Sequence, residues 1–284
     1  MTPTPKPPPL DAWTALGAIP DAQLDLLSTS LLVARDEYPD MDIALCHAQL
    51  DEHVQRVKAS LPEDAGLQQR LATLSHYLFE EVGFAGNHEA FYDPRNSYLN
   101  QVLERKLGIP LSLGVVQMEI ARHLDVPLQG ISFPGHFLLR LQVDGGLLVL
   151  DPYNRGRSID AEELRSRASP HMGGVEIDDQ QLMQMLEPAS NRLIVMRMLR
   201  NLMHVYEEQE CLDKALRCAD RLVRIAPGQA DTLRDRGMLY HQLGHLSAAR
   251  ADLSRYLVSL PNADDADAVR DLLIDSSAHA PRLN

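Results

Sequence analysis

From residue 10 to about residue 82, apolar residues recur at helical spacing. Leu24, Leu27, Leu31 and Leu32 form one run, Ile43, Leu50, Val54 and Val57 a second, and Leu67, Leu71, Leu74 and Leu78 a third. Residues three, four and seven apart share a helix face, so three or four packed helices are predicted. Pro20, Tyr38-Pro39 and Leu61-Pro62 mark the breaks, because the residue before proline is pushed out of the helical region. Periodicity lapses over 83–96, a Gly, Asn, Asp and Pro-rich stretch too long for a simple connector and of a kind that often carries function. A helix resumes over 98–107 with Gly108 as its stop; Ile109-Pro110-Leu111 then leads to Ser112, and a second helix is expected over 113–124. Segments 126–133, 136–143 and 147–150 read as strands, the last two joined by the hairpin signal Asp144-Gly145-Gly146. The order, helices and then a helix feeding a small antiparallel sheet, is a mostly helical α+β pattern.

The last third of the chain is patterned differently. Tyr206 and Tyr240, Ala215 and Ala249, and Pro227 and Pro261 recur with the same period, and Gly237 and Gly244 flank the second tyrosine. Tyr, Ala and Pro in this order, about 34 residues apart, are the signature of tetratricopeptide repeats. Two helical hairpins need neighbours to cover their ends. A helix from about Asn191 and the segment 266–274 are expected to supply them. The domain division is therefore a Pro-rich, disordered tail over 1–9, a helical lead-in and α+β domain over 10–188, and an all-α repeat region over 189–284.

Composition narrows the function classes. A net charge of -13 argues against a nucleic-acid or anionic-membrane partner, both of which need a basic footprint. Residues 1–10 lack the apolar run of a secretory signal and no later stretch is long and apolar enough to cross a bilayer, which reads as a cytoplasmic protein. Cys46, Cys211 and Cys218 are scattered without metal-ligand spacing and read as small buried thiols, so neither disulfides nor a metal site is expected. No cofactor motif is present.

Three residues in the central stretch are of the types needed for a nucleophile, a base and a group that orients the base: Ser112, His136 and Asp151. Ser112 is expected just before a helix, where unpaired N–H groups favour negative charge, but where serine is also a common cap. Whether His136 meets Asp151 depends on the hairpin register. A two-residue Gly145-Gly146 turn pairs Asp151 with Arg140, leaving His136 about 13 Å along the strand. A four-residue loop over 142–145 pairs Asp151 with His136 directly, and both registers remain open. Glu80, Glu81, Asn87, Asn96, Tyr98 and Asn100 are candidates to line a cleft, although an acidic pair at a helix end is usually solvated and Asn96 is most simply a cap. His88-Glu89 and His241/His245 are too sparse to indicate a metal.

The runs LFEEVGFAGN, DPRNSYLNQVLERKLGIPLSLGVV, GISFPGHFLLRL and LLVLDPYNRG resemble the SirB family of transglutaminase-like proteins, in which such a domain is followed by tetratricopeptide repeats. The resemblance spans roughly residues 25 to 265. It implies a papain-like core with a nucleophilic cysteine at a helix N-terminus, followed by a histidine and an aspartate on adjacent antiparallel strands. His136 and Asp151 match by position, and Ser112 stands near the place of the cysteine. A thiol ionises readily beside an imidazolium, whereas a serine hydroxyl must lose its proton during attack and needs a differently tuned base. Two functions follow. In the first, a degenerate triad leaves a cleft that holds a peptide while the repeats grip a protein partner. Residues 196–261 carry ten Lys and Arg against eight Asp and Glu, which permits a carboxylate-bearing partner segment. In the alternative, Ser112 attacks an amide or ester with His136 as base, as a hydrolase or acyltransferase. The sequence leaves the oligomeric state open.

Overall fold

The computed structural model describes residues 11–278, with side chains through residue 274. The Pro-rich tail expected to be disordered lies outside the described residues. The chain forms two compact units, Asp25–Met198 and a second in which the chain from Leu199 onward is joined by the residues up to Leu24.

The N-terminal elements follow the apolar pattern. Helices α1 (Ala12–Ala18), α2 (Leu26–Arg35) and α3 (Ile43–Ala59) end before the proline breaks, and α4 (Leu67–His76) follows the last of them. Asp25 and Asp42 cap α2 and α3 by accepting from backbone N–H groups of the first turn. Leu27 and Leu31, Leu50, Val54 and Val57, and Leu71 and Leu74 form the buried faces. Past α4, residues 77–81 make one wide turn closed by Val82 N donating to Tyr77 O, five residues back, at 2.9 Å.

The stretch over 83–96 is more ordered than its composition implies. Its Ala85–Gly86 segment (β1) pairs in parallel with Leu107–Gly108 (β2), a contact with no signal in the sequence. Helix α5 runs from Leu99 to Arg105 and stops at Lys106, a left-handed residue with φ 61°, whereas Gly108, the expected stop, lies in β2. Helix α6 (Pro110–Arg122) starts three residues earlier than its apolar run indicated, because Pro110 fits the first helical turn. It is buried on nearly every side from Pro110 to Met118, so it is the central helix of this unit.

The sheet is four-stranded and antiparallel: β3 (Gln129–Ile131), β4 (Leu138–Val143), β5 (Gly146–Asp151) and β6 (Arg157–Ser158), in that order. Strands β3 and β4 are shorter than their apolar runs. The outer edge of β3 is covered where Ala189 N donates to Gly130 O at 2.8 Å. The hairpin turns through Asp144-Gly145, with Gly145 at φ 94°, so Val143 pairs with Gly146 and Leu139 with Leu150. This register lies between the two considered from sequence. Alternate residues face opposite sides of a strand. Phe137 and Leu139 pack at Gly114 of α6, whereas Leu138 joins Val149, Leu164 and Leu182 in a cluster under helices α7 (Ala161–Ala168) and α8 (Asp179–Met185).

In the second unit, α9 (Asn191–Glu208), which begins in the first, leads into α10 (Leu212–Ile225), α11 (Ala230–Gln242), α12 (Leu246–Ser259) and α13 (Ala266–Ala278). The repeat alanines Ala215 and Ala249 are fully buried. A Cβ on Gly237 would sit 2.8 Å from Leu253, which explains a glycine where α11 and α12 cross. Arg236 of α11 ties three helices by donating to Asp252 at 2.7 Å and to Asp220 at 3.0 Å. The caps include an element that periodicity alone assigned to the lead-in. Helix α1 packs on α10, with Asp11 capping α1 and accepting from Arg224 at 2.7 Å, and Trp13 buried. Cys46 and Cys218 are buried, but Cys211 is exposed, because it lies in the loop that starts α10 rather than on an apolar face.

Candidate functional site

His136 and Asp151 are brought together. In the observed register Asp151 lies opposite Leu138, two residues from His136 on the same face, which is within reach of a diagonal cross-strand contact. His136 Nε2 donates to Asp151 Oδ1 at 3.0 Å, and Nδ1 has no hydrogen-bond partner among the described residues. Asp151 is fully buried, and both its oxygens are saturated. Oδ1 also accepts from the Tyr153 and Asn154 backbone N–H groups, and Oδ2 from Asn154 Nδ2 at 2.6 Å and Arg167 Nη1 at 2.8 Å. Burial pushes this carboxyl up, but His136, Asn154 and Arg167 outweigh it and hold the acid below the usual carboxylate range. Arg167 reaches it from α7, so the pair sits on the α7 face of the sheet.

Ser112 is placed differently. It occupies the third helical position of α6 rather than the residue before the helix, and it is fully buried. Its hydroxyl donates to Asn96 O at 2.5 Å and accepts from Ile109 N at 3.1 Å. Both partners are backbone groups, and no hydrogen bond joins Ser112 to His136. The sheet explains why: Asp151 faces α7, whereas α6 packs on the opposite side through Phe137 and Leu139.

The remaining candidates divide by burial. Asn96 is fully buried and is the hub of the 83–96 stretch: its Nδ2 donates to Ala90 O at 2.7 Å and Phe91 O at 3.2 Å, and its Oδ1 accepts from Asn87 Nδ2 at 3.0 Å. Asn87 in turn accepts from Ala90 N. These asparagines staple a loop rather than line a cleft. Tyr98 is buried edge-on against Tyr38 at 5.4 Å, and Asn100 is half-buried with its Oδ1 unpartnered. Glu80 and Glu81 are solvated and pair with Arg155 and His76.

Residues that periodicity could not single out surround His136. Tyr153 stands edge-on to the rings of His88 at 4.5 Å, Phe91 at 5.9 Å and His136 at 6.3 Å, and Phe91 contacts Tyr92 at 5.3 Å. Phe91 and Tyr92 are 42% and 60% exposed, unusual for aromatic rings held in an ordered loop. The available signal was FYDP, an aromatic pair inside a turn-rich polar stretch. Replacing both rings with alanine is expected to shift stability by no more than about 1 kcal/mol, because exposed side chains contribute little to folding. Urea unfolding measures this; a larger loss would make the pair structural.

Chemically, this arrangement offers an oriented imidazole, a locked carboxylate and exposed aromatic rings, with the hydroxyl withdrawn. Among the described residues no three His, Cys, Asp or Glu side chains are grouped as metal ligands, and no helix is long and apolar enough to cross a membrane.

Comparison with known proteins agrees with this architecture. Residues 44–200 match the model of the transglutaminase-like superfamily and residues 202–273 that of the tetratricopeptide repeat. The chain is 51% identical over 268 residues to a UPF0162 protein of Xylella fastidiosa, covering 94% of this chain and 95% of that one. It is 35% identical to UPF0162 protein PA3419 of Pseudomonas aeruginosa, covering 82% and 84%. Protein SirB1 of Salmonella typhimurium is 25% identical, with 84% and 88% covered. The chain belongs to the transglutaminase-like superfamily, among relatives named UPF0162 and SirB1, and carries tetratricopeptide repeats after that domain.

Proposed function

We propose that this protein is a non-catalytic, cytoplasmic binding module, in which the aromatic surface beside His136 holds a protein or peptide segment and the repeats grip a partner. The observation that carries this reading is the commitment of the Ser112 hydroxyl to Asn96 O and Ile109 N in a fully buried position. A serine nucleophile needs its base within hydrogen-bond reach and a path for substrate. The exposed Phe91 and Tyr92 beside Tyr153 and His136 offer the aromatic anchors that peptide segments use, and His136 Nδ1 offers a polar contact. Helical repeats hold partners along the face of their first helices. The alternative of a serine-dependent hydrolase or acyltransferase draws its support from the 3.0 Å His136–Asp151 contact.

Turnover of ester and glutamine-amide substrates by the full chain separates the two readings. The binding reading expects no rate above buffer and no change in His136→Ala. A rate lost in both Ser112→Ala and His136→Ala, with the fold intact by circular dichroism, would overturn it. Partner capture is expected to weaken modestly in His136→Ala, which loses one polar contact, and more strongly in the Phe91→Ala, Tyr92→Ala double variant.

A further inference from the structure

A cleft of about 390 Å³ lies between α3, the wide turn after α4 and the end of α5. Its floor is a chain of polar contacts. Lys106 Nζ donates to Leu103 O, lies 3.5 Å from His53 Nε2 and sits over the Phe84 ring at 4.8 Å. His53 Nδ1 lies 2.8 Å from the Tyr77 hydroxyl. Arg56 stands beside Tyr77 and pairs with Glu52, and Glu81 is at the rim.

Two backbone irregularities build this cleft. Tyr77 continues α4 with its N–H bonded to Thr73 O, and the five-residue turn that starts there shifts Glu81 and Val82 from the positions a continuing α-helix would give them; such turns concentrate at functional sites. Lys106 is left-handed at φ 61°, in the position after a helix that usually belongs to glycine. A side chain there costs about 1 kcal/mol, so its presence calls for a role.

The electrostatics give the polarity of the site. Burial, with the Lys106 charge, holds His53 down to about 4, so its ring is neutral at pH 7. A neutral ring accepting from the Lys106 ammonium at Nε2 must donate from Nδ1 to Tyr77, which turns the Tyr77 O–H outward. Burial also lowers the Lys106 pKa, and no carboxylate lies within 4 Å of its ammonium among the described residues. The floor is thus a half-buried cation with no carboxylate in ion-pairing contact, acted on at longer range by Glu52 and flanked by outward donors.

We propose that this cleft binds a small monocarboxylate, with Lys106 as its counter-charge and the Tyr77 hydroxyl and Arg56 as further donors. Glu52 and Glu81 at the rim disfavour a doubly charged anion, and they suit a ligand whose other end is neutral or an ammonium, as in a free amino acid.

The test is an NMR titration of the isotopically labelled full chain with acetate, glycine and inorganic phosphate, at ionic strength matched with chloride. Saturable shifts at His53, Tyr77 and Lys106 are expected with acetate and glycine, with weaker effects from phosphate. In Lys106→Gly, which suits the left-handed position and so keeps the fold, affinity is expected to fall about tenfold or more. Lys106→Arg should retain it within a few-fold. Should Lys106→Gly fail to fold, Tyr77→Phe keeps the ring, removes one donor and is expected to weaken binding several-fold. Non-saturating shifts, tighter binding of phosphate, or affinity unchanged in Lys106→Gly or, in its place, Tyr77→Phe would overturn the proposal.

Discussion

Replacing Asp151 with alanine is expected to cost about 3–5 kcal/mol of stability, whether or not the protein is an enzyme, because it strips a buried carboxylate from charged and backbone donors that lose their acceptor together. Those donors are His136 Nε2, the Tyr153 and Asn154 N–H groups, Asn154 Nδ2 and Arg167. Urea unfolding reads the loss directly; a cost under about 1 kcal/mol would place this cluster among weak surface pairs. Acid stability follows from the same contacts. The folded carboxyl titrates below its usual range, so its contribution is complete above about pH 4 and is lost as the pH falls below that through the folded value. The wild-type melting temperature should fall over that window, and Asp151→Asn, less stable throughout, should fall less steeply.

Asn96→Ala is expected to cost about 2–4 kcal/mol, since it removes bonds to Ala90 O and Phe91 O and leaves the buried Asn87 amide without its acceptor. Hydrogen exchange over 86–96 should quicken with the loss of the staple. Ser112→Ala is milder, because Asn96 O still accepts from Ile109 N at 3.3 Å. If Asn96→Ala left exchange in 86–96 unchanged, the loop would be held by β1 and β2 alone.

The helices were legible in the sequence because each buries one stripe: Leu50, Val54 and Val57, or Leu71 and Leu74, declare the inward face at helical spacing. The repeats were legible because Ala215, Ala249 and Gly237 occupy positions where only small residues fit. Contacts between distant segments were not. The β1/β2 pair is two residues long and carries no periodicity, and α1 looked like part of the lead-in because its pattern does not name the helix it packs on. For the site, spacing identified His136 and Asp151 as a candidate pair but left the register open; the Asp144-Gly145 turn decided it. Ser112 was ambiguous between nucleophile and cap because both occur at helix starts, and only the long-range bond to Asn96 O, 16 residues away in sequence, distinguishes them. Phe91, Tyr92 and Tyr153 gave no periodic signal because exposure, not burial, makes them notable.

The most direct test of the binding-module reading is mass-spectrometric labelling of the native full chain with a fluorophosphonate, which reacts with activated serines. A buried, backbone-bonded Ser112 is expected to remain unmodified in native buffer. Stoichiometric modification of Ser112 that disappears in His136→Ala would contradict that reading and establish a working serine–histidine pair.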